Sequence, residues 1–192
     1  MEEIKEYINS YAKERYLWEH SRKNELNNSV TIPLGILIVQ ISSISYFFLN
    51  FPSETCSQLF IAFIVLLSLS IISIVYSVYL FMRHQSGYQY AYIISPKDMN
   101  NYYEKNIAAY INNNENVDFN YVFNELKETE LLGYIEATEK NITNNEIKIK
   151  YYRKFLLLII ISTTLLIFTL LFSLFLDKKI DLIRVIIEQS IQ

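Results

Sequence analysis

The sequence predicts an all-α membrane protein with three transmembrane helices, an N-terminal amphipathic helix and a cytoplasmic helical region. Two observations predict it. Hydrophobic residues make up 52% of the 192 residues although 19% are charged, so the apolar residues must be segregated. They gather in three blocks without Asp, Glu, Lys or Arg, over 29–53, 55–82 and 155–176. A hydrocarbon core of about 30 Å needs about 20 helical residues, and buried helices of soluble proteins rarely stay uncharged that long. The spans are therefore placed at 30–50, 58–82 and 155–176.

The elements follow in order. Residues 1–28 read as a cytoplasmic amphipathic helix, with Ile4, Tyr7, Ile8, Tyr11, Arg15 and Trp18 at three- and four-residue steps. These residues carry eleven charges, too many and too spread for the basic start of a signal peptide. Asn27, Asn28 and Ser29 punctuate, and Pro33 fits the first turn of the next helix. A transmembrane hairpin occupies 29–83, its outer turn made by Pro52, Ser53 and Glu54 with Ser53 as N-cap. The cytoplasmic region covers 84–154 and begins with Tyr88, Tyr90 and Tyr92, expected as an interfacial aromatic belt. Ser95 caps a helix with Pro96 at its first position, running to about Ile111, and the asparagines from Asn112 onward break it. From Asp118 a second helix, with Phe119, Val122, Phe123, Leu126, Leu131, Tyr134, Ile135 and Ile142 at helical spacing, continues into the span at 155–176. Such a helix cannot bury its own stripe. It needs the first helix, residues 97–111 or further copies of the chain. The tail, 177–192, carries an amphipathic stripe through Ile180, Ile183, Ile187 and Ile191.

Flanking charge orients the spans. Arg15, Arg22 and Lys23 precede the first, Arg83 follows the second, and Lys148, Lys150, Arg153 and Lys154 precede the third, whereas the loop between the first two has no basic residue. The N-terminus is expected inside and the C-terminus outside, despite Lys178, Lys179 and Arg184 in the tail. The richness in Asn, Ile, Lys and Tyr fits an AT-rich bacterial genome, and hence a bacterial inner membrane.

Little here suggests catalysis. His20 and His84 lack ligand spacing, three glycines leave no phosphate-cradling loop, and Cys56 stands alone. No enzyme, cofactor or metal is expected. The sequons Asn27-Asn28-Ser29 and Asn141-Ile142-Thr143 fall on the inner side. Spans without charge also disfavour ion-coupled transport.

The spans do carry hydroxyls and one amide. Gln40 and Ser43 share a face of the first, Ser70, Ser73 and Ser77 a face of the second, and Ser162, Thr169 and Ser173 a face of the third. Small polar residues let helices approach closely, which is the plain reading. The sharper one is that a stripe repeated around a symmetric ring lines a hydrated pore. Lys148, Lys150, Tyr151, Tyr152, Arg153 and Lys154 interleave basic and aromatic residues. They serve topology and headgroup anchoring, or bind a nucleotide or short nucleic acid at the mouth of an assembly.

Two stretches carry a resemblance. One is Tyr11-Ala12-Lys13-Glu14-Arg15-Tyr16-Leu17-Trp18-Glu19 leading to Pro33-Leu34-Gly35. The other is Tyr134, Ala137, Asn141, Asn145 and Lys148. With the layout, they resemble the small membrane effectors of bacterial antiphage systems, SLATT-like or of the Hailong type. The resemblance implies a homo-oligomer, with a tetramer as one arrangement, that forms an ion-conducting pore in abortive infection. A nucleotide signal made by a partner nucleotidyltransferase would gate it. A third span with an outer tail departs from the two-span members. Two other readings stand beside this one: a non-conducting anchor or scaffold for a soluble partner, and a holin-like lysis protein.

Overall fold

The computed structural model describes residues 2–51, 58–113 and 118–191; at 2, 106, 109–110 and 177–191 it describes the backbone alone. The turn at Pro52 to Glu54 with its Ser53 cap, Cys56, part of the break before Asp118, and the side chains of the tail stripe lie outside the described residues. Every regular element described is helical. In order they are α1 (Glu2–Asn28), α2 (Thr31–Leu49), α3 (Gln58–Gln85), α4 (Pro96–Tyr102), a π-helical turn (Tyr103–Ile107), α5 (Ala108–Asn113) and α6 (Phe119–Ile191).

Local chemistry sets the boundaries. Thr31 Oγ1 donates to the Asn28 carbonyl at 3.0 Å across the joint between α1 and α2, and Pro33 sits in the first turn of α2, where no amide hydrogen is needed. Gly87, at φ +93°, turns the chain away from α3 in a conformation other residues avoid. Ser95 Oγ accepts from the Asp98 amide at 3.1 Å and caps α4, with Pro96 at its first position. Asp118 caps α6, its Oδ1 accepting from the Asn120 amide at 2.9 Å. From there α6 runs 73 residues without a break: it joins the helix predicted from Asp118 to the third apolar stretch and continues through 177–191, which the sequence sets apart as a tail. The helix expected after Ser95 is present, interrupted by the π turn.

Three stretches of helix are long and apolar enough to cross a membrane: within Glu3–Leu49, Gln58–Gln85 and Phe119–Leu176. The chain divides into two compact units, each contributed to by α6. One comprises Met1–Asn27 and Gly87–Ile147, the other Asn28–Ser86 and Lys148–Gln192.

In the first unit α1 packs on α6 through Ala12, Tyr16, Tyr134 and Ala137, with Tyr16 and Tyr134 edge to face at 5.6 Å. The buried face of α1 is therefore Ala12, Tyr16 and Glu19. The stripe through Ile4, Tyr7, Ile8, Tyr11 and Trp18 stays exposed in the single chain. Sequence spacing marks an apolar face here, but not the one that meets α6.

In the second unit α2, α3 and α6 pack together. Phe47 and Phe63 meet edge to face at 5.9 Å, and Leu37, Leu67, Ile74, Leu166 and Leu176 complete the core. Buried positions recur every seven residues: Pro33, Gln40 and Phe47 on α2; Phe63, Ser70, Ser77 and His84 on α3; Phe155, Ser162, Thr169 and Leu176 on α6. This is the repeat of left-handed supercoiled helices.

Candidate functional site

Gln40, Ser70, Ser77, Ser162 and Thr169 occupy that seven-residue repeat. Ser70, Ser77, Ser162 and Thr169 have no exposed surface, Gln40 is 3% exposed, and Ser173 is buried beside them. Of the candidates, Ser43 and Ser73 are half-buried at the edge of the unit. The outward surface is largely apolar, including Ile38, Val39, Ile61, Ile72, Ile160 and Phe168, and also carries Ser42, Ser45, Ser68 and Thr164.

Four of the buried hydroxyls, on Ser70, Ser77, Ser162 and Thr169, are satisfied within their own helices. Ser70 Oγ donates to the Leu66 carbonyl, Ser77 Oγ to Ser73 and Thr169 Oγ1 to Leu165, each at 2.8 Å. Ser43 Oγ does the same with Val39 at 2.9 Å. Lipid tails supply no hydrophobic drive between helices, so small residues at the seam and hydrogen bonds across it matter more than apolar area. One such bond pattern is present. Gln40 Nε2 donates to the Ile159 carbonyl at 3.0 Å and to Thr163 Oγ1 at 2.6 Å, tying α2 to α6. The Ile159 carbonyl fixes which end of the amide faces α6, because only the NH₂ can donate there. Gln40 Oε1 is left buried without a hydrogen bond.

The basic and aromatic run does not act as one surface. Lys148 is 3% exposed, and its carbonyl meets His84 Nδ1 at 3.0 Å on the inside of the unit. Tyr152 donates from its hydroxyl to the Ser29 carbonyl at 3.1 Å and lies against the His84 ring. Arg83 donates to the Tyr151 hydroxyl at 3.4 Å, and this bond holds the phenol below its ordinary range. Lys150, Arg153 and Lys154 are exposed. Of the six candidates, half face water and half are engaged.

Sequence reasoning missed the polar seam of the first unit. Glu19 on α1 has no exposed surface. Asn145 Nδ2 donates to its Oε2 at 2.8 Å and to its carbonyl at 2.9 Å. Tyr90 donates to Asn145 Oδ1 at 2.7 Å. Burial, with the electron-rich neighbours Tyr88, Glu19 and Tyr92, pushes the Tyr90 phenol up to about 12. Lys23 lies over the Tyr90 ring at 4.4 Å and donates to the Tyr92 hydroxyl at 3.2 Å. The tyrosine run expected as an interfacial belt is thus part of a segment held on α6. Asn141 pins it by accepting from the Ala91 amide at 3.0 Å and donating to the Ala91 carbonyl at 2.9 Å. Asn144 adds a bond to the Gln89 carbonyl at 3.0 Å. The signal was available: asparagine at 141, 144 and 145 gives one helix face three amides at adjacent positions.

Arg15 and Arg22 stand on either side of the Glu19 carboxylate, each 3.5 Å from one of its oxygens. Both also lie over Trp18, at 4.3 and 5.0 Å from the ring centroid. A cavity of about 580 Å³ opens further along α1, lined by Lys5, Asn9, Lys13, Lys127 and Glu128 among others, and none of the candidates from sequence reaches it. Among the described residues no cluster of His, Cys, Asp or Glu could hold a metal. No protein-family model matches the chain, and neither a curated protein nor a solved structure does.

Proposed function

We propose that the chain is the subunit of a homo-oligomeric, pore-forming membrane effector of bacterial antiphage defence. It sits in the inner membrane with its N-terminus in the cytoplasm and its C-terminus outside. It is shut at rest and opened by a nucleotide or oligonucleotide signal. The observation that carries this reading is the sorting of the span surface: Gln40, Ser70, Ser77, Ser162, Thr169 and Ser173 lie inside each chain's bundle, and the outside is largely apolar, although it keeps hydroxyls at Ser42, Ser45, Ser68 and Thr164. Copies associating through apolar faces enclose a path that sheds water, which is a closed gate. Turning the Ser70 and Ser77 face, or the Ser162 and Thr169 face, toward a shared axis wets it. The same residues then serve packing in one state and conduction in the other.

One observation favours a second reading. Ser70, Ser77, Ser162 and Thr169 each donate to a carbonyl of their own helix, as simple helix packing requires. On that reading the chain is a non-conducting anchor whose inner helices recruit a soluble partner.

Planar-bilayer recording of the purified chain separates the two. The effector gives current after addition of nucleotides or oligonucleotides, and Ser77→Leu abolishes its control. A chain that runs as a monomer in detergent and passes no current with any of them overturns the proposal.

A further inference from the structure

Glu19 is a carboxylate with no exposed surface and one side-chain hydrogen bond, to Asn145. Its Oε1 has none. Its counter-charge comes from Arg15 and Arg22, whose side chains keep 41% and 27% of their surface in water. At 3.5 Å both contacts lie beyond hydrogen-bond length, so they hold by charge alone. Among the described residues neither guanidinium spends a donor, and each has five. Trp18, 48% exposed, holds the two in place from beneath.

We propose that Arg15, Trp18 and Arg22 form a binding site for a phosphate-bearing anion, and that filling it draws the counter-charge off Glu19. Two preset guanidinium forks suit the several oxygens of a phosphate group, which offers shorter, charge-assisted bonds than the Glu19 contacts. Ligand and Glu19 then compete for the same two cations. Because that coupling is reciprocal, anything that weakens Glu19 as a competitor must tighten the ligand. The route from the site to a pore rests on the effector reading above; the binding does not.

Trp18 is the chain's single tryptophan, so tryptophan emission, excited where tyrosine does not absorb, reports on this site alone. The full chain in neutral detergent at low salt is titrated with inorganic triphosphate and with ATP. A saturable change is expected, weakened at least about tenfold in Arg15→Gln/Arg22→Gln. Glu19→Gln keeps an acceptor for Asn145 and removes the competing charge, so it binds several-fold tighter. Should the double variant fold poorly with Glu19 uncompensated, adding Glu19→Gln to it removes the buried charge, and the triple variant must still fail to bind. Nanodiscs with and without phosphatidylglycerol identify the source of phosphate. A response to that lipid alone assigns the site to headgroups, and a response to triphosphate assigns it to a soluble ligand. The proposal is overturned if neither probe changes Trp18, if the arginine substitutions leave affinity intact, or if Glu19→Gln does not raise it. Binding without current in bilayers sinks the effector reading and spares the site; ligand-gated current without a Trp18 response does the reverse.

Discussion

Asn145 grips Glu19 twice, its amide hydrogens reaching the main-chain carbonyl at 2.9 Å and the carboxylate at 2.8 Å. Its oxygen is taken by Tyr90 at 2.7 Å. One α6 side chain thus joins α1 and the segment after Gly87, and it keeps a buried carboxylate hydrogen-bonded. A polar residue at such a position restricts register, since slipping one helix would strand a charge away from its partner.

Replacing Asn145 by leucine removes all three bonds and leaves the Glu19 carboxylate without its hydrogen-bond donor. The expected loss is about 3 kcal/mol, the scale for breaking a buried charged hydrogen bond. Unfolding in detergent, followed by Trp18 fluorescence, measures it. Asn145→Asp should be worse, because two carboxylates then meet in a buried place. Wild-type stability in Asn145→Leu would show that the seam does not depend on this bond.

Asn141 treats Ala91 as a neighbouring peptide would, accepting from its amide and donating to its carbonyl. Asn141→Ala leaves both groups of Ala91 without that partner, at a cost of about 1–3 kcal/mol. The loss falls on residues 88–95 and not on the helices. Hydrogen exchange should therefore quicken in that segment while the middle of α6 is unchanged. Uniform quickening across α6 would mean that Asn141 holds the helix itself.

Much of this was legible in the sequence, and the limits have physical causes. The spans, the caps at Ser95 and Asp118 and the long α6 follow from charge-free length and hydrogen-bonding chemistry, which act locally. The packing face of α1 does not. Ile4, Tyr7, Tyr11 and Trp18 outweigh Ala12, Tyr16 and Glu19 in hydrophobicity, yet the latter face α6, because small size and a hydrogen-bond partner at Asn145 decide that contact. The polar span stripes were visible as faces, but their burial within one chain depends on how three helices meet. Lys148 neighbours Lys150 and Lys154 in the sequence, whereas helical rotation turns it inward.

Tyr90 gives the fold an alkaline limit. Its folded value, about 12, stands above the ordinary phenol value of 10.0, with burial as the largest cause. Below pH 10 the phenol is protonated in both states, and its contribution to stability is complete. Between pH 10 and 12 the unfolded chain releases this proton first, so that contribution falls as pH rises. Tyr134 shifts in the same direction, through burial and the nearby Glu130. Tyr90→Phe should flatten the fall in stability across that window. A slope unchanged from wild type would place the alkaline sensitivity elsewhere.

Gln40 behaves differently from Asn145, although both are buried amides. Asn145 uses its oxygen and both amide hydrogens, whereas Gln40 leaves Oε1 unpartnered. Its NH₂ partners would not be orphaned by its removal, because the Ile159 carbonyl also accepts from Ser162 at 3.0 Å and from Thr163 at 2.7 Å. Gln40→Leu therefore exchanges two hydrogen bonds for relief of a buried acceptor and a similar volume of apolar side chain. Stability in detergent should change by no more than about 1 kcal/mol in either direction. What should be lost is register, since Gln40 is the amide that ties α2 to α6 at one height. Cysteine pairs stepped along the groove that Ile36, Val39, Ser43, Thr163 and Ile167 line between these helices report that register by crosslinking. Crosslinking should spread to neighbouring pairs in Gln40→Leu and stay confined to one pair in the parent. A large loss of stability with sharp crosslinking would instead make Gln40 an ordinary stabilising contact.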